Sequence, residues 1–159
     1  MIKIVIVLIY IFNMLACKPA DKKTLKTTLN YPFSCLSSQS NCQIETEYGN
    51  FSVTFSGSSE QGRLKTELPF LNQILFNPSD KRYQLMTIQS YFEGKTMFMG
   101  KVPVFFEQST TENMMNAQTL LASCSEEVMT WRMWLTLEIA VDDEIKKEST
   151  FIDFESKRL

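Results

Sequence analysis

A chain of 159 residues without a single histidine cannot assemble a Ser-His-Asp or Cys-His catalytic set, nor a histidine-ligated zinc or copper(II) site. Its 16 basic and 18 acidic side chains leave a net charge of −2, and no stretch gathers Lys and Arg among aromatics, so no nucleic-acid partner is expected. Twelve Phe, five Tyr and two Trp are enough to build one substantial core, and the length fits a single domain.

The chain opens with Met1-Ile2-Lys3 and then runs apolar and largely β-branched from Ile4 to Phe12, before Asn13-Met14-Leu15-Ala16-Cys17. A spanning helix takes roughly 20 apolar residues, more than this run holds. A weakly basic start, a short apolar stretch and a small residue at the junction are the zones of a secretory signal. Met14-Leu15-Ala16-Cys17 resembles the lipobox of bacterial lipoproteins. The resemblance implies removal of residues 1–16, lipidation of Cys17 and attachment to a membrane through that lipid. Lys18, where an Asp would favour inner-membrane retention, implies the periplasmic side of the outer membrane. Residues 17–30 then read as a flexible tether, since they lack periodicity and have too few apolar side chains to order. Residues 31–159 read as the folded domain.

Within that domain, "CQIETEY" and "FSVTFS" flank Gly49-Asn50, and Phe51, Val53 and Phe55 alternate with Ser52, Thr54 and Ser56. Period-2 alternation around a Gly-Asn pair predicts a hairpin turning at Gly49-Asn50. "GSSEQG" reads as a loop, and Pro69 divides "RLKTELPFLNQILF" into two elements. "RYQLMTIQSYFEG" predicts a strand with Leu85, Thr87, Gln89 and Tyr91 on one face, and Met86, Ile88, Ser90 and Phe92 on the other. Glu93-Gly94-Lys95 turns the chain into "TMFMG", and Pro103 in "KVPVFFEQ" predicts an edge strand or a bulge. "STTENMMN" reads as a loop, with a short helix over Met114 and Met115 as its alternative, and "AQTLLASC" as a strand. Residues 130–141 form the longest strand candidate, with Trp131, Met133, Leu135, Leu137 and Ile139 inward and Arg132, Trp134, Thr136 and Glu138 outward. Asp142-Asp143 is a turn, and "STFIDFES" is a last strand with Phe151 and Asp153 opposite Ile152 and Phe154. About seven to nine short strands with turns between them predict an all-β chain, an antiparallel β-sandwich of Ig-like type.

Lipid on Cys17 leaves three cysteines, which cannot all pair within one chain. Cys35 and Cys42, with six residues between them in "CLSSQSNC", are the preferred bridge; a long-range bridge from either to Cys124 is the alternative. Met97 and Met99, on one face of an extended segment, are soft ligands that together with Cys124 would select copper(I); Met129 and Met133 are further soft groups. The competing reading makes these methionines core filler. Cys124 lies just before Glu126-Glu127, and acidic neighbours oppose thiolate formation. Glu45/Glu47, Glu126-Glu127 and Asp142-Asp143-Glu144 are the carboxylates available for acid–base work, but their spacing matches solvated strand faces and turns. Trp131 belongs to the core by pattern, whereas Trp134, on the outer face, is a candidate anchor for a partner. The expected function is a non-enzymatic binding or envelope-assembly module with a protein or envelope partner and no cofactor. A copper(I) carrier and a thiol-disulfide partner are the alternatives.

Overall fold

The structure, a computed structural model, describes residues 33–35 and 41–159. The signal segment, the tether and Cys17 lie outside the described residues.

Among the described residues every regular element is a strand: β1 (Phe33–Ser34), β2 (Asn41–Thr46), β3 (Gly49–Gly57), β4 (Ser59–Glu60), β5 (Arg63–Lys65), β6 (Phe70–Pro78), β7 (Tyr83–Gly94), β8 (Lys101–Phe105), β9 (Glu107–Gln108), β10 (Met114–Thr119), β11 (Val128–Val141) and β12 (Glu144–Lys157). The larger sheet runs β4-β5-β12-β11-β7-β8 with β1 beside β12, and the smaller runs β2-β3-β6-β10-β9. The two sheets pack as a β-sandwich. Pairing is antiparallel except where β1 and β5 lie parallel to β12 along two short stretches. β1, β4, β5 and β9, each two or three residues long, raise the strand number above the expected seven to nine. Their short runs carry no period for a sequence reading to detect.

Alternation decides which faces meet. Met129, Trp131, Met133, Leu135, Leu137 and Ile139 of β11 are all buried, as are Ile152 and Phe154 of β12. Opposite them, β3 buries Phe51, Val53 and Phe55, and β6 buries Phe70, Ile74 and Phe76. Rings join the layers, with Phe55 against Phe154 at 4.8 Å between centroids and Phe70 against Phe92 at 6.1 Å. Each such side chain stabilises the fold by about 2 kcal/mol through area removed from water. The buried indole of Trp131 donates to Ser156 Oγ at 2.9 Å, so its polar atom is satisfied inside the core.

Several sequence expectations hold. Residues 130–141 lie within β11 with the expected faces, Asp142-Asp143 is the β11–β12 turn, and Pro69 separates β5 from β6. Pro103 lies in β8, the edge strand of the larger sheet, where a missing N–H is harmless.

Others are corrected. The β2–β3 turn is Glu47-Tyr48, not Gly49-Asn50. Thr46 organises it, donating from Oγ1 to the Gly49 carbonyl at 2.8 Å and accepting from the Tyr48 N–H at 3.2 Å. Gly49 is needed for a different reason: at φ +145° it lies against β6, where a Cβ would come within 2.8 Å of Pro78 Cα. "GSSEQG" is a small hairpin turning on Gln61-Gly62, whose φ angles of 53° and 76° fit a two-residue primed turn. In β7 the register slips by one residue, with Glu138 facing Thr87 and Ile139 facing Leu85. Met86 is the extra residue, 52% exposed, so Leu85 turns inward with Ile88 instead of sharing a face with Tyr91. Met114 and Met115 begin β10 instead of forming a helix, and Leu120–Cys124 lies beyond that strand. Met97 and Met99 occupy the β7–β8 loop, so the same-face argument for an extended strand does not apply to them.

Candidate functional site

The outer face of the larger sheet carries the densest set of chemically distinctive side chains. Pairing across β8, β7, β11 and β12 lays them out in rows. One row reads Lys101, Glu93, Arg132, Asp153; the next reads Pro103, Tyr91, Trp134, Phe151; the third reads Phe105, Gln89, Thr136, Ser149. The first alternates in charge, the second is ring-rich and the third is polar behind an exposed Phe. Side chains directly opposite on one face lie about 5 Å apart at Cβ, which is what lets each row interact as a unit.

The charged row is tightly bonded. Arg132 donates from Nε to Asp153 Oδ1 at 2.8 Å and from Nη2 to Oδ2 at 3.0 Å, a two-pronged fit of guanidinium to carboxylate. Lys95, arriving from the β7–β8 loop, donates to Asp153 Oδ2 at 2.7 Å. Burial alone would raise the Asp153 carboxyl, but hydrogen bonds from Arg132 and Lys95 outweigh it and hold the group below its ordinary value of 3.8. The same bond to Asp153 raises Arg132, against a smaller opposing effect of burial.

The ring row is built on that frame. Trp134 stacks near Tyr91, with centroids 6.3 Å apart and planes at 29°, and meets Phe151 edge-on at 5.1 Å. The Arg132 guanidinium carbon lies 3.7 Å from the Phe151 ring centre and 5.4 Å from that of Trp134. Lys101 Nζ stands 4.4 Å over Tyr91. Trp134 Nε1 donates to Glu93 Oε2 at 3.0 Å, which orients the indole. Tyr91, Trp134 and Phe151 are half-buried, and Phe105 is 79% exposed at the open edge. Both carboxylates here are engaged, Asp153 by two cations and Glu93 by an indole N–H. The arrangement is an amphipathic surface whose side chains are ordered by one another.

Other sequence-derived candidates lie elsewhere. Cys35 and Cys42 form a disulfide with 5.5 Å between Cα atoms, both cysteines buried, tying the residue after β1 to β2 of the smaller sheet. Cys124 is a free, half-buried thiol whose Sγ lies 3.4 Å from Met129 Sδ. Asp142 pairs with Arg82, Glu144 with Lys146, and Glu127 stands 3.9 Å from Lys157. Glu45 is exposed on β2, and Glu47 is in the β2–β3 turn.

Trp134 and Arg132 were legible together on one outward face; Tyr91, Glu93, Phe151 and Asp153 were not recognised as their company. Part of the signal was present. A two-residue turn at Asp142-Asp143 pairs Val141 with Glu144, and counting outward from it puts Trp134 opposite Phe151 and Arg132 opposite Asp153.

No family model matches the sequence, and no curated protein matches it either. Among solved structures, the chain is similar to a DUF4785 family protein from Legionella pneumophila, at 11% identity and a TM-score of 0.55. That likeness covers 72% of this chain but only 30% of that one, and it shows a shared fold alone. A superoxide reductase (neelaredoxin) from Ignicoccus hospitalis is similar at 14% identity over 67% of this chain and 80% of that chain. Its TM-score of 0.39 is too low to carry an argument.

Proposed function

We propose that the chain is a non-enzymatic binding module that engages a protein partner through the outer face of its larger sheet. The observation that supports this reading is the row Tyr91, Trp134, Phe151, held in register beneath Arg132 and opening at its edge onto Pro103 and Phe105. Aromatic rings and arginine are the side chains that dominate protein–protein binding energy, and a pre-ordered set loses little entropy when covered. Pro103 discourages strand addition at the β8 edge, which favours docking on the face. The lipobox-like Met14-Leu15-Ala16-Cys17 supports delivery to the periplasmic side of an outer membrane, with lipid on Cys17 as anchor and residues 17–30 as tether.

The test uses the full chain in intact cells with a photo-crosslinking phenylalanine analogue at position 105 or position 134. One discrete adduct common to both positions, lost when Arg132 is replaced by Ala, is expected; position 43 on the smaller sheet gives none. Failure of both positions to yield an adduct overturns the docking face. Labelled palmitate incorporation that persists unchanged in Cys17→Ala overturns the anchor.

A further inference from the structure

Three sulfur-bearing side chains lie around the end of β7: Cys124 and Met129, five residues apart, and Met99 from the β7–β8 loop. Cys124, in the segment between β10 and β11, places Sγ 3.4 Å from Sδ of Met129, the second residue of β11 and the first to face the core. A Cβ built on Gly94, the last residue of β7, would have both Met129 Cε and Met99 Cγ within 3.4 Å of it. Gly94 therefore seats the Met129 methyl and brings Met99 to the same place, with the Met99 sulfur one bond beyond its Cγ. Gly94 does not have a positive φ; it is the space that demands a glycine.

Both contributing segments are held by the backbone. The Lys95 N–H donates to the Thr130 carbonyl at 3.0 Å, pinning the loop that carries Met99 to β11. The segment carrying Cys124 is fastened at both ends: the Glu67 N–H donates to the Leu121 carbonyl at 2.8 Å, and the Arg158 N–H to the Glu127 carbonyl at 2.8 Å. Met129 is 2% exposed, whereas Cys124 and Met99 are half-buried against the core, so an ion can reach the thiol from solvent.

We propose that Cys124, Met129 and Met99 form a copper(I) site. One thiol and two thioethers are soft donors, and soft donors select this ion. Charge decides between ions of similar softness. Binding copper(I) breaks the Cys124 S–H bond, releases the proton to solvent and forms a Cu–S bond, so one unit of positive charge replaces another and no electron moves. A divalent ion in the same place would leave a net positive charge against the apolar core. Among the described residues no three Cys, Asp or Glu side chains gather to neutralise one. The donor set differs from the sequence expectation in that Met129 takes the place of Met97, whose carbonyl faces Gly94. This site is independent of the docking face.

The experiment titrates the folded domain, with its disulfide intact, with copper(I) against a competing chelator, and repeats the titration with silver(I), which resists oxidation. A single site is expected, with Cys124→Ser weakening it at least about 100-fold and Met99→Leu and Met129→Leu each about 10-fold. Met97→Leu leaves the affinity within about twofold of the starting protein. Circular dichroism and the urea midpoint check that each variant folds. In the unaltered protein, methionine-methyl NMR reads the site directly, with the Met99 and Met129 signals moving on silver(I) addition. A chain that fails to compete with the chelator, a Cys124→Ser protein that binds as tightly as the original, or unmoved Met99 and Met129 methyl signals would each overturn the site.

Discussion

Arg132 and Asp153 face each other across β11 and β12 with both guanidinium–carboxylate bonds made, although only 5% of Asp153 is exposed. Removing one partner from such a pair strands the other charge. Asp153→Ala leaves Arg132 and Lys95 without their shared carboxylate and is expected to cost about 3 kcal/mol in urea unfolding. The double replacement Arg132→Met/Asp153→Leu is expected to cost less than Asp153→Ala alone, because the partly buried guanidinium is then gone and only Lys95, 38% exposed, is left to water. A double variant less stable than the single one would refute this account of the row.

The same carboxylate dictates an acid response. The folded Asp153 value lies below 3.8, so its contribution is present above the unfolded value and is lost as pH falls through the folded one. Melting temperatures measured from pH 6 to pH 2 should therefore fall more steeply in the original protein than in Asp153→Asn.

Glu148 has the opposite sign. Burial first, and then the nearby Glu47 carboxylate, raise it above its ordinary 4.5. Its contribution is present below the unfolded value and is lost as pH rises through the folded one. Glu148→Gln is expected to melt higher than the original protein at pH 7 and equally at pH 3. Equal melting temperatures at pH 7 would contradict it.

Gly94 offers a steric test. An alanine methyl there would collide with Met129 Cε and the Met97 carbonyl, and one of those contacts is backbone, which yields less readily than a flexible side chain. Gly94→Ala is expected to destabilise the domain by about 1–3 kcal/mol, the range for forcing extra volume into a packed site. Gly62→Ala, which meets nothing within 4 Å but sits at φ +76°, should cost only about 1 kcal/mol. The two urea midpoints decide the order.

The Cys35–Cys42 bridge spans a sequence separation of 7. For so short a loop the chain-entropy relation gives about 2.5 kcal/mol, expected as the loss in Cys35→Ser/Cys42→Ser. Alkylation of a chain beginning after Cys17 should modify Cys124 alone before reduction, with Cys35 and Cys42 joining it afterwards.

Much of the sandwich was legible because alternation is a local signal. Trp131 to Ile139 declare an inward face whatever lies opposite, Asp142-Asp143 declares a turn, and Pro103 declares an edge. A turn also sets the register of the two strands it joins, which is why half of each row, Arg132 with Asp153 and Trp134 with Phe151, follows from counting alone. The other half does not. Tyr91 and Glu93 belong to β7, which meets β11 only after 33 intervening residues have travelled to the smaller sheet and back. No local rule announces that pairing, and the bulge at Met86 breaks the period that would have aligned Leu85.

The sequence by itself determined that strands would form, which faces of the longest ones would be buried, and the lipobox resemblance at Cys17. The tertiary structure alone decided which strands became neighbours, that Glu47-Tyr48 rather than Gly49-Asn50 would turn, and that Met99 and Met129 would both come up against Gly94. The division has a physical origin. Side-chain alternation and short turns are governed by residues a few positions apart. Sheet order, bulges and the docking of the β7–β8 loop on β11 are settled by how two apolar faces pack together, a property of the whole chain that no short window contains.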